Sequence, residues 1–444
     1  MIVATEKRGM RPLIFDSIPL RVQSDAVARY LMVDARVPRD EEECVVILLG
    51  SYDNSVTLAD RDAYLRQATA ISGGRADQAA DGSDKLSFAP YTPEPDQPMT
   101  VAAVQQALKT TGFFPGGKVD GICGYRTRAA MRLFQEYVRS VEKLPSVPDG
   151  RFGPSTRKHL LRWLGGGPAF SWAPTIERWR AGTLGQTEYT EWLSLLGKVR
   201  EKYLASPTEM LRLVNAFPGR TDTRKVSDWE LSPSAIHLIG VRRSEKTNKF
   251  DDLFVLLIKG LVFKFQGSTD PGATSNPLGA PFLVQGQHDY HFGWHKSQHL
   301  ALRPSDNGVL VVRSKGDFRL DDADVSKGLE ANSTIHIHWG GKGQTFDVNN
   351  WSEGCQVLNG SAYIDPSNQK IDCSSFVATN NGEVASNPSK TRGAYNLVAD
   401  LVLGLGSDLP GNTVLYTLLT EQDQALTGSS ALADGREKAS VLLA

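Results

Sequence analysis

Most of the features that assign a sequence to a class at first sight are missing from this chain. Only four of its 444 residues are cysteines. Cys44, Cys123, Cys355 and Cys373 follow neither zinc-site nor disulfide-framework spacing, so we treat them as individual thiols. No apolar run reaches the roughly 18 residues that predict a membrane-spanning helix. The 49 basic and 50 acidic residues leave a formal charge of −1, so no overall positive field indicates nucleic-acid binding.

Shifts in composition divide the chain into segments. A proline-rich stretch that ends at Pro98 has the composition of a linker, and Gly165-Gly166-Gly167-Pro168 predicts a second hinge. The residues after this hinge show helical apolar periodicity, whereas runs such as Asp252–Ile258 and Val309–Arg313 are typical of strands. We therefore expect a multidomain α+β protein. Its predicted segments are an unassigned N-terminal segment (1–82), a linker (83–98), a small helical domain (99–165), a helical connector (166–230), a mainly β domain (231–421) and a loose tail (422–444).

The small helical domain contains an internal repeat. Each copy is an Asp-Gly turn that leads into a helix with an apolar stripe. The stripes include Ala130 and Phe134 in one helix and Leu160 and Leu164 in another, and an earlier helix contains Val104. This pattern predicts a three-helix bundle. The repeated residues are Asp120, Gly121, Gly124 and Thr127 in the first copy and Asp149, Gly150, Gly153 and Thr156 in the second.

This domain resembles the peptidoglycan-binding domain found on many wall hydrolases. The family's pattern of Leu-Gln, Asp-Gly-x-x-Gly-x-x-Thr, Ala and Phe-Gln is met by Gln105, Asp120, Gly121, Gly124, Thr127, Ala130, Phe134 and Gln135. The resemblance covers about residues 97–165 and implies that peptidoglycan is a partner. Between Lys118 and Arg162, ten basic residues accompany four acidic ones. This excess suits an anionic wall polymer, and it equally suits solvated helix faces.

A second pattern, in the β region, combines histidine with cysteine. A β-branched run that ends in glycines predicts a strand, and period two puts His336 and His338 on one face. The stretch Trp351-Ser352-Glu353-Gly354-Cys355 follows. A thiol becomes a nucleophile when an imidazole takes its proton and fixed donors hold the developing oxyanion. We expect Cys355 to be this nucleophile and the Gly354 and Cys355 N–H groups to be the donors; the alternative is a buried structural cysteine near a core histidine.

The ordered motif resembles that of the YkuD-type L,D-transpeptidases, in which a strand ending in His-Gly precedes Ser-x-Gly-Cys. Trp339 stands where the family has its glycine, and Gln356-Val357 replaces the Ile-Arg that follows the family's cysteine. A divergent branch of wall-acting proteins with a Trp-Ser-x-Gly-Cys-Gln-Val motif is more similar. The resemblance implies a mainly β catalytic domain. The matching residues are His338 (general base), Ser352, Gly354 and Cys355 (nucleophile).

The resemblance also implies acyl transfer on the peptidoglycan stem peptide through a thioester on Cys355. After the terminal D-alanine leaves, an amine acceptor would give a crosslink, and water would give carboxypeptidase or endopeptidase activity. The sequence leaves these outcomes open. We expect Arg303 to contact a substrate carboxylate. The residues expected to orient the base or contact the substrate are His336, His295, Trp339, Trp351 and Arg303.

A cluster of histidines offers a different chemistry. Four imidazoles at the spacing of His288, His291, His295 and His299 would align along a helix and could bind zinc or nickel. However, the aromatic, glycine-interrupted sequence around them favours a strand and a turn. The glutamate that a zinc-peptidase helix uses as its base is also missing. We therefore expect no metal and no other cofactor.

Several alternatives remain for activity and delivery. They are a lytic cysteine peptidase or amidase on the same scaffold, a metallo-hydrolase, and a non-catalytic wall-binding component of a phage or contractile injection particle. Residues 1–9 lack the apolar core of a secretory signal. We therefore expect synthesis in the cytoplasm and action at the cell wall or periplasm after lysis, injection or non-classical export, with residues 1–82 as a possible attachment to such a particle. We expect neither a membrane span nor a nucleic-acid partner.

Overall fold

The computed structural model describes residues 99–443, with gaps at 244–247, 273, 275, 297–298, 315–319, 344–346, 349–350, 388, 410–412 and 425–429. The unassigned segment 1–82, the linker 83–98 and Cys44 lie outside the described residues. The chain forms two compact units. The first contains the described residues up to Ala169 together with Phe292–Leu300 and Ala399–Asp408, and the second contains Phe170–His291, Ala301–Val398 and the residues from Leu409 onward. The units therefore differ from the contiguous domains that we expected.

Along the described chain, the elements change from mainly helical to mainly β. The helices are α1 (Val101–Thr110), α2 (Tyr125–Ser140), α3 (Pro154–Leu164), α4 (Ala173–Arg180), α5 (Glu188–Ala205), α6 (Glu209–Ala216), α7 (Asp322–Val325), α8 (Asn381–Ser386), α9 (Ala394–Leu403), α10 (Glu421–Gln424) and α11 (Ser430–Leu443). The strands are β1 (Ile236–Arg242), β2 (Asp252–Ile258), β3 (Leu261–Ser268), β4 (Ala280–Leu283), β5 (Gly286–His295), β6 (His299–Arg303), β7 (Val309–Ser314), β8 (Glu330–Asn332), β9 (Ile337–Trp339), β10 (Gln356–Ile364), β11 (Lys370–Asp372) and β12 (Val414–Thr420). This order confirms the α+β prediction.

Helices α1, α2 and α3 form the predicted three-helix bundle of the first unit. Phe113 lies at its centre, with ring centroids 5.3 Å from Phe134 and Tyr137 and 5.4 Å from Trp163. All three contacts are edge-to-face, the geometry that aromatic pairs prefer. Of the predicted stripe residues, Phe134 lies in this aromatic core, and Val104, Ala130 and Leu160 are buried, whereas Leu164 is only partly buried.

The repeated motif holds two equivalent turns in this bundle. Gln105 Nε2 donates to Asp120 Oδ1 at 2.8 Å and to Thr127 Oγ1 at 3.1 Å. In the second copy, Gln135 Nε2 donates to Asp149 Oδ1 and to Thr156 Oγ1, both at 2.9 Å. The glycine after each aspartate has positive φ, 78° at Gly121 and 72° at Gly150. Gly124 and Gly153 are the N-caps of α2 and α3. The motif residues thus build the turns of the domain.

A buried ion pair joins α2 to the end of α9 within the first unit. Arg132 Nη2 lies 2.6 Å from Asp400 Oδ1, and Arg132 Nε donates to the same carboxylate. Burial raises the pKa of Asp400 to about 7, although the Arg132 charge opposes this shift. Gly404 approaches the bundle so closely that a Cβ there would lie 3.1 Å from Ala130 Cα. Residues from the β part of the sequence therefore complete the packing of this bundle.

Most strands of the second unit belong to a nine-stranded sheet. Its strand order is β11-β10-β3-β2-β1-β12-β5-β6-β9, and the additional pairing of β10 with β9 closes it into a barrel. Strands β2 and β3 are joined by Lys259-Gly260, whose φ values of 49° and 82° are those of a two-residue hairpin turn. A separate sheet has the order β4-β7-β8.

Helices cover one side of the barrel. The predicted connector is helical, as α4, α5 and α6, and α5 places Tyr189 and Trp192 in a buried cluster with Leu253 and Val255 of β2. Thr187 caps α5 in a capping box with Thr190. The helical prediction for this segment is therefore confirmed, because its aromatic residues face the core.

The prediction of a loose tail over 422–444 is wrong for the part that the structure describes. Helix α11 buries Leu432 and Ala439 in the cluster that contains Tyr189 and Trp192, and Leu442 packs with Ile364. Few of its residues are strongly apolar, so the helical periodicity of this segment is weak. Burial of one narrow face nevertheless anchors the helix to the sheet.

Candidate active site

The candidate nucleophile Cys355 lies directly before β10, at the end of a tight turn. The preceding Gly354 has a φ of 131°, in a region that residues with a side chain rarely adopt. A Cβ on Gly354 would lie 2.5 Å from Pro281 Cγ and 2.6 Å from the Pro281 carbonyl oxygen. Both the backbone conformation and the surrounding space therefore require glycine here.

Ser352 closes this turn from within. Its hydroxyl donates to the Cys355 carbonyl at 2.6 Å and accepts a hydrogen bond from the Gly354 N–H at 3.0 Å. The Ser352 carbonyl accepts from the Gly272 N–H at 2.9 Å, which ties the turn to the loop after β3. We expected the Gly354 N–H to be an oxyanion donor. It is instead engaged inside the turn, because a buried N–H group needs a partner.

The register of β9 and β10 brings the cysteine and the histidines to one face of the barrel. The two strands are parallel, with Gln356 beside Ile337 and Val357 beside His338. Carried back by one residue, this register puts Cys355 beside His336, and the Gln356 N–H donates to the His336 carbonyl at 2.8 Å. Because paired residues in a sheet point to the same side, Cys355, His336 and His338 share one face.

His338 has the hydrogen bond that a general base requires. Its Nδ1 lies 2.9 Å from the Trp339 carbonyl oxygen. Since a carbonyl can only accept, Nδ1 carries the proton and Nε2 is left as the basic nitrogen. The side chain is 4% exposed. Burial together with this bond fixes the orientation of the ring.

The sulfur of Cys355 contacts the backbone of the strand that carries the histidines. It accepts a hydrogen bond from the His336 N–H at 3.5 Å, and its S–H donates to the Thr334 carbonyl at 3.4 Å. A backbone N–H directed at sulfur stabilises a thiolate more than a thiol. Cys355 is more exposed than Cys123 and Cys373, which are both buried. It is therefore the described cysteine best suited to react with a substrate.

Arg303 lies on the same face as the cysteine. Strand β6 runs antiparallel to β9 with Leu302 opposite Ile337, and this register carried on by one residue puts Arg303 opposite His336. Arg303 and His336 are both 7% exposed. Burial, and then the charge of Arg303, lowers the pKa of His291 to about 4. His291 is thus neutral at neutral pH, and it adds no charge beside the guanidinium.

The two tryptophans of the motif differ in exposure. Trp339 is completely buried, packs edge-to-face on Trp351 at 5.8 Å, and lies under the Arg392 guanidinium at 5.5 Å. Its ring therefore packs inside the domain, where it supports the strand. Trp351 is partly exposed. A Cβ on Gly341 would lie 2.7 Å from its ring, so the glycine after the strand leaves room for it.

The clustered histidines lie on strands, as the sequence predicted. His288 is buried, with Nδ1 3.0 Å from Thr223 Oγ1 and Nε2 3.1 Å from the Val284 carbonyl, and burial lowers its pKa to about 3. His295 belongs to the first unit, where its ring lies 5.4 Å from that of His299. Within the described ranges, no group of three or more His, Cys, Asp and Glu side chains has the arrangement of a metal site.

A buried acidic pair near the turn was not found by sequence reasoning. Asp252 accepts from the Thr269 N–H at 2.6 Å and from the Thr269 hydroxyl at 2.8 Å. Asp270 lies 3.0 Å from Arg242 Nε. Burial raises the pKa of both carboxyl groups, and the charge of Asp270 raises that of Asp252 further.

Comparison with known proteins found a family match for the helical bundle. Residues 99–160 match the family model described as "Putative peptidoglycan binding domain". The chain therefore carries a peptidoglycan-binding domain, which supports peptidoglycan as a partner and association with the cell wall. No curated protein and no solved structure matches the chain. Among the helices of the described residues, none combines the length and apolar character of a membrane span.

Proposed function

We propose that the chain is a peptidoglycan-modifying cysteine enzyme of the L,D-transpeptidase type, held at its substrate by residues 99–160. The proposal is carried by the hydrogen bond of 2.9 Å from His338 Nδ1 to the Trp339 carbonyl, on the strand that pairs with the start of β10. In the neutral ring this bond makes Nε2 the basic nitrogen, and the ring lies on the face shared with Cys355. The peptidoglycan-binding domain supports the choice of substrate.

In the proposed first step, His338 takes the proton of the Cys355 thiol, and the thiolate attacks the carbonyl carbon of the third stem-peptide residue. A C–S bond forms and the C–N bond to the terminal D-alanine breaks. The imidazolium returns its proton to the leaving amine. D-alanine departs, and a thioester remains on Cys355. The His336 N–H, 3.5 Å from the sulfur, favours the thiolate in this step.

In the second step, an acceptor attacks the thioester carbonyl. His338 removes a proton from the acceptor, the C–S bond breaks, and the proton passes to the departing thiolate. An amine of a neighbouring stem peptide gives a new crosslink, and water gives carboxypeptidase activity. Binding of residues 99–160 to the wall raises the local concentration of both acceptor and donor strands.

We propose that Arg303 binds a carboxylate of the stem peptide. The family's arginine after the nucleophile has no counterpart here, because Val357 occupies its position. Arg303 supplies a buried guanidinium opposite His336 by the register of β6 and β9, and this group binds carboxylates in a planar, bidentate geometry. His336 is then a neighbour of both the substrate charge and the nucleophile.

The experiment compares the wild-type protein with Cys355→Ala on purified sacculi and on disaccharide-tetrapeptide, with products resolved by mass spectrometry. We expect Cys355-dependent loss of D-alanine or Cys355-dependent crosslinked dimers. Cys373→Ala is the matched control, because Cys373 is a buried cysteine outside the proposed site, and it should retain the wild-type product profile.

Two other product profiles would favour the alternative functions, a lytic enzyme or a non-catalytic wall-binding protein. Soluble muropeptides released only by proteins that keep Cys355 would indicate a lytic peptidase or amidase. Sacculi that remain bound but chemically unchanged by both proteins would contradict the enzyme proposal, and would favour a non-catalytic wall-binding component.

A further inference from the structure

The turn that carries Cys355 is held by hydrogen bonds to Ser352 and also by a hydrogen bond to Gln356, whose side chain is buried. We infer that Gln356 and Tyr416 are positioning residues for the nucleophile, an inference that rests on the proposed function of Cys355. Gln356 belongs to the Trp-Ser-x-Gly-Cys-Gln-Val motif, which gives it no role of its own, and Tyr416 belongs to none of the motifs above. They act through the peptide that precedes the cysteine and do not contact the substrate.

Gln356 connects three parts of the structure. Its Nε2 donates to the Gly354 carbonyl at 3.3 Å, and its Oε1 accepts from the Tyr416 hydroxyl at 3.0 Å. Its backbone N–H donates to the His336 carbonyl. The residue is fully buried. Because Gly354 has no side chain to fix its peptide, this amide group sets the orientation of the Gly354 carbonyl.

Tyr416 is itself held rigidly inside the barrel. Its ring stacks on Phe254 at 6.1 Å with an interplanar angle of 13°, and meets Tyr290 edge-to-face at 5.8 Å. A Cβ on Gly240 would lie 2.2 Å from the Tyr416 hydroxyl oxygen, so β1 contains glycine where the hydroxyl passes. Burial raises the pKa of Tyr416 well above its usual value. The hydroxyl therefore stays protonated and remains a donor to Gln356.

Tyr290 supports the opposite side of the site in the same way. Its hydroxyl donates to the Ile335 carbonyl at 2.9 Å, directly before His336 on the strand that carries the histidines. The two tyrosines are in contact with each other. Tyr416 supports the turn before Cys355 through Gln356, and Tyr290 directly supports the segment before His336. Errors of about 1 Å in such placements can cost roughly a hundredfold in rate, so these buried bonds matter for catalysis.

The test uses Tyr416→Phe, Gln356→Met and the double variant in the full-length chain. Tyr416→Phe removes only the hydroxyl, and Gln356→Met keeps the side-chain volume while removing both amide bonds. Tyr189→Phe is the matched control. Tyr189 is also buried, at 1% exposed, and its hydroxyl also donates to a backbone carbonyl, that of Pro233, at 2.7 Å. It belongs to helix α5 and to the cluster in which the helices pack on the sheet. The first readout is the rate at which iodoacetamide alkylates Cys355 at each pH, followed on the Cys355 peptide by mass spectrometry.

We expect Tyr416→Phe and Gln356→Met to shift the pH midpoint of alkylation by about half a unit or more, which is roughly threefold in rate at neutral pH. Turnover of disaccharide-tetrapeptide should fall about tenfold in kcat with little change in KM. The double variant should match Gln356→Met, since the hydroxyl acts through the amide. Tyr189→Phe should lower the unfolding midpoint without changing the alkylation profile.

The two readouts separate this inference from the proposed function. Alkylation needs no substrate, so an altered profile in a protein that leaves peptidoglycan unchanged would support the positioning role and reject the transpeptidase activity. Wild-type alkylation profiles and turnover in both folded single variants would overturn the inference. Fully additive effects in the double variant would contradict the proposed chain from Tyr416 through Gln356.

Discussion

Replacing Gly354 by alanine tests the conformation of the nucleophile turn most sharply. The residue has a φ of 131°, so an alanine there takes a strained backbone conformation that costs roughly 1–3 kcal/mol. The added Cβ also meets the Pro281 carbonyl oxygen at 2.6 Å and Ile335 Cδ1 at 3.1 Å. Overpacking of this kind costs about 1–3 kcal/mol more. We therefore expect Gly354→Ala to lower the free energy of unfolding by about 2–6 kcal/mol in total.

Substitutions at two other glycines of the second unit separate the cost of backbone strain from the cost of overpacking. Gly328 has a φ of 90° but no atom within 4 Å of an added Cβ, so Gly328→Ala should cost only the backbone strain of about 1–3 kcal/mol. Gly197 lies inside α5 with no atom within 4 Å of an added Cβ and no positive φ. Gly197→Ala should therefore stabilise the protein by about 0.5–1 kcal/mol.

The assay is urea unfolding followed by tryptophan fluorescence, with alkylation of Cys355 measured on the same samples. Gly354→Ala should lose clearly more stability than Gly328→Ala and should also show altered Cys355 reactivity. If Gly354→Ala lost no more than Gly328→Ala, the close approach of Pro281 to the turn would be refuted. Unchanged Cys355 reactivity would refute the role of this turn in presenting the thiol.

Three further predictions address the turn, the bundle and the chemistry. Ser352→Ala removes a buried acceptor and a donor, so we expect a loss of about 1–3 kcal/mol in urea unfolding and a fall in turnover, whereas Ser352→Thr should recover part of both. Arg132→Met leaves Asp400 buried without its cation, which should cost about 3–5 kcal/mol. The pKa of Asp400 is raised from 3.8 to about 7, so the stability that comes from its protonation is lost as the pH rises from about 4 to about 7. The loss of unfolding free energy in Arg132→Met should therefore be smaller at pH 5 than at pH 8. An equal loss of free energy at the two pH values would exclude titration of Asp400. Finally, EDTA should leave turnover unchanged, whereas inactivation by EDTA, with Cys355→Ala still active, would favour a metallo-hydrolase.

Local patterns allowed the bundle to be predicted in detail. The Asp-Gly turns need glycine at positive φ, and Asp149 and Thr156 bond to a glutamine that is marked by the same pattern. These contacts join residues close in sequence, so spacing alone carries the information. The hairpin at Lys259-Gly260 was predictable for the same reason.

The candidate site was only partly predictable, because its contacts join distant residues. Spacing brought out Ser352, Gly354 and Cys355, which form one turn. It did not bring out Tyr416, which bonds to Gln356 across 60 residues. Of the β-branched run that predicted a strand before the cysteine motif, the strand in the structure is Ile337–Trp339. The Thr334 carbonyl and the His336 N–H are directed at the Cys355 sulfur, and the His336 carbonyl bonds to β10.

The largest differences from expectation concern segments whose partners lie far along the chain. Ala399–Asp408 belongs to the unit of the helical bundle, through a buried ion pair that no local pattern signals. The C-terminal helix was missed because its buried apolar positions are few, namely Leu432, Ala439 and Leu442. In both cases tertiary packing, and not local propensity, decides the structure.

The most direct test of the central claim is to trap the acyl-enzyme. The protein is mixed with disaccharide-tetrapeptide, quenched in acid and weighed intact by mass spectrometry. We predict an adduct equal to the donor minus D-alanine, located on the Cys355 peptide, absent in Cys355→Ala and reduced when Ser352 is replaced by alanine. Turnover of the substrate without any adduct on Cys355, or an equal adduct in Cys355→Ala, would contradict a cysteine acyl-transfer mechanism at this site.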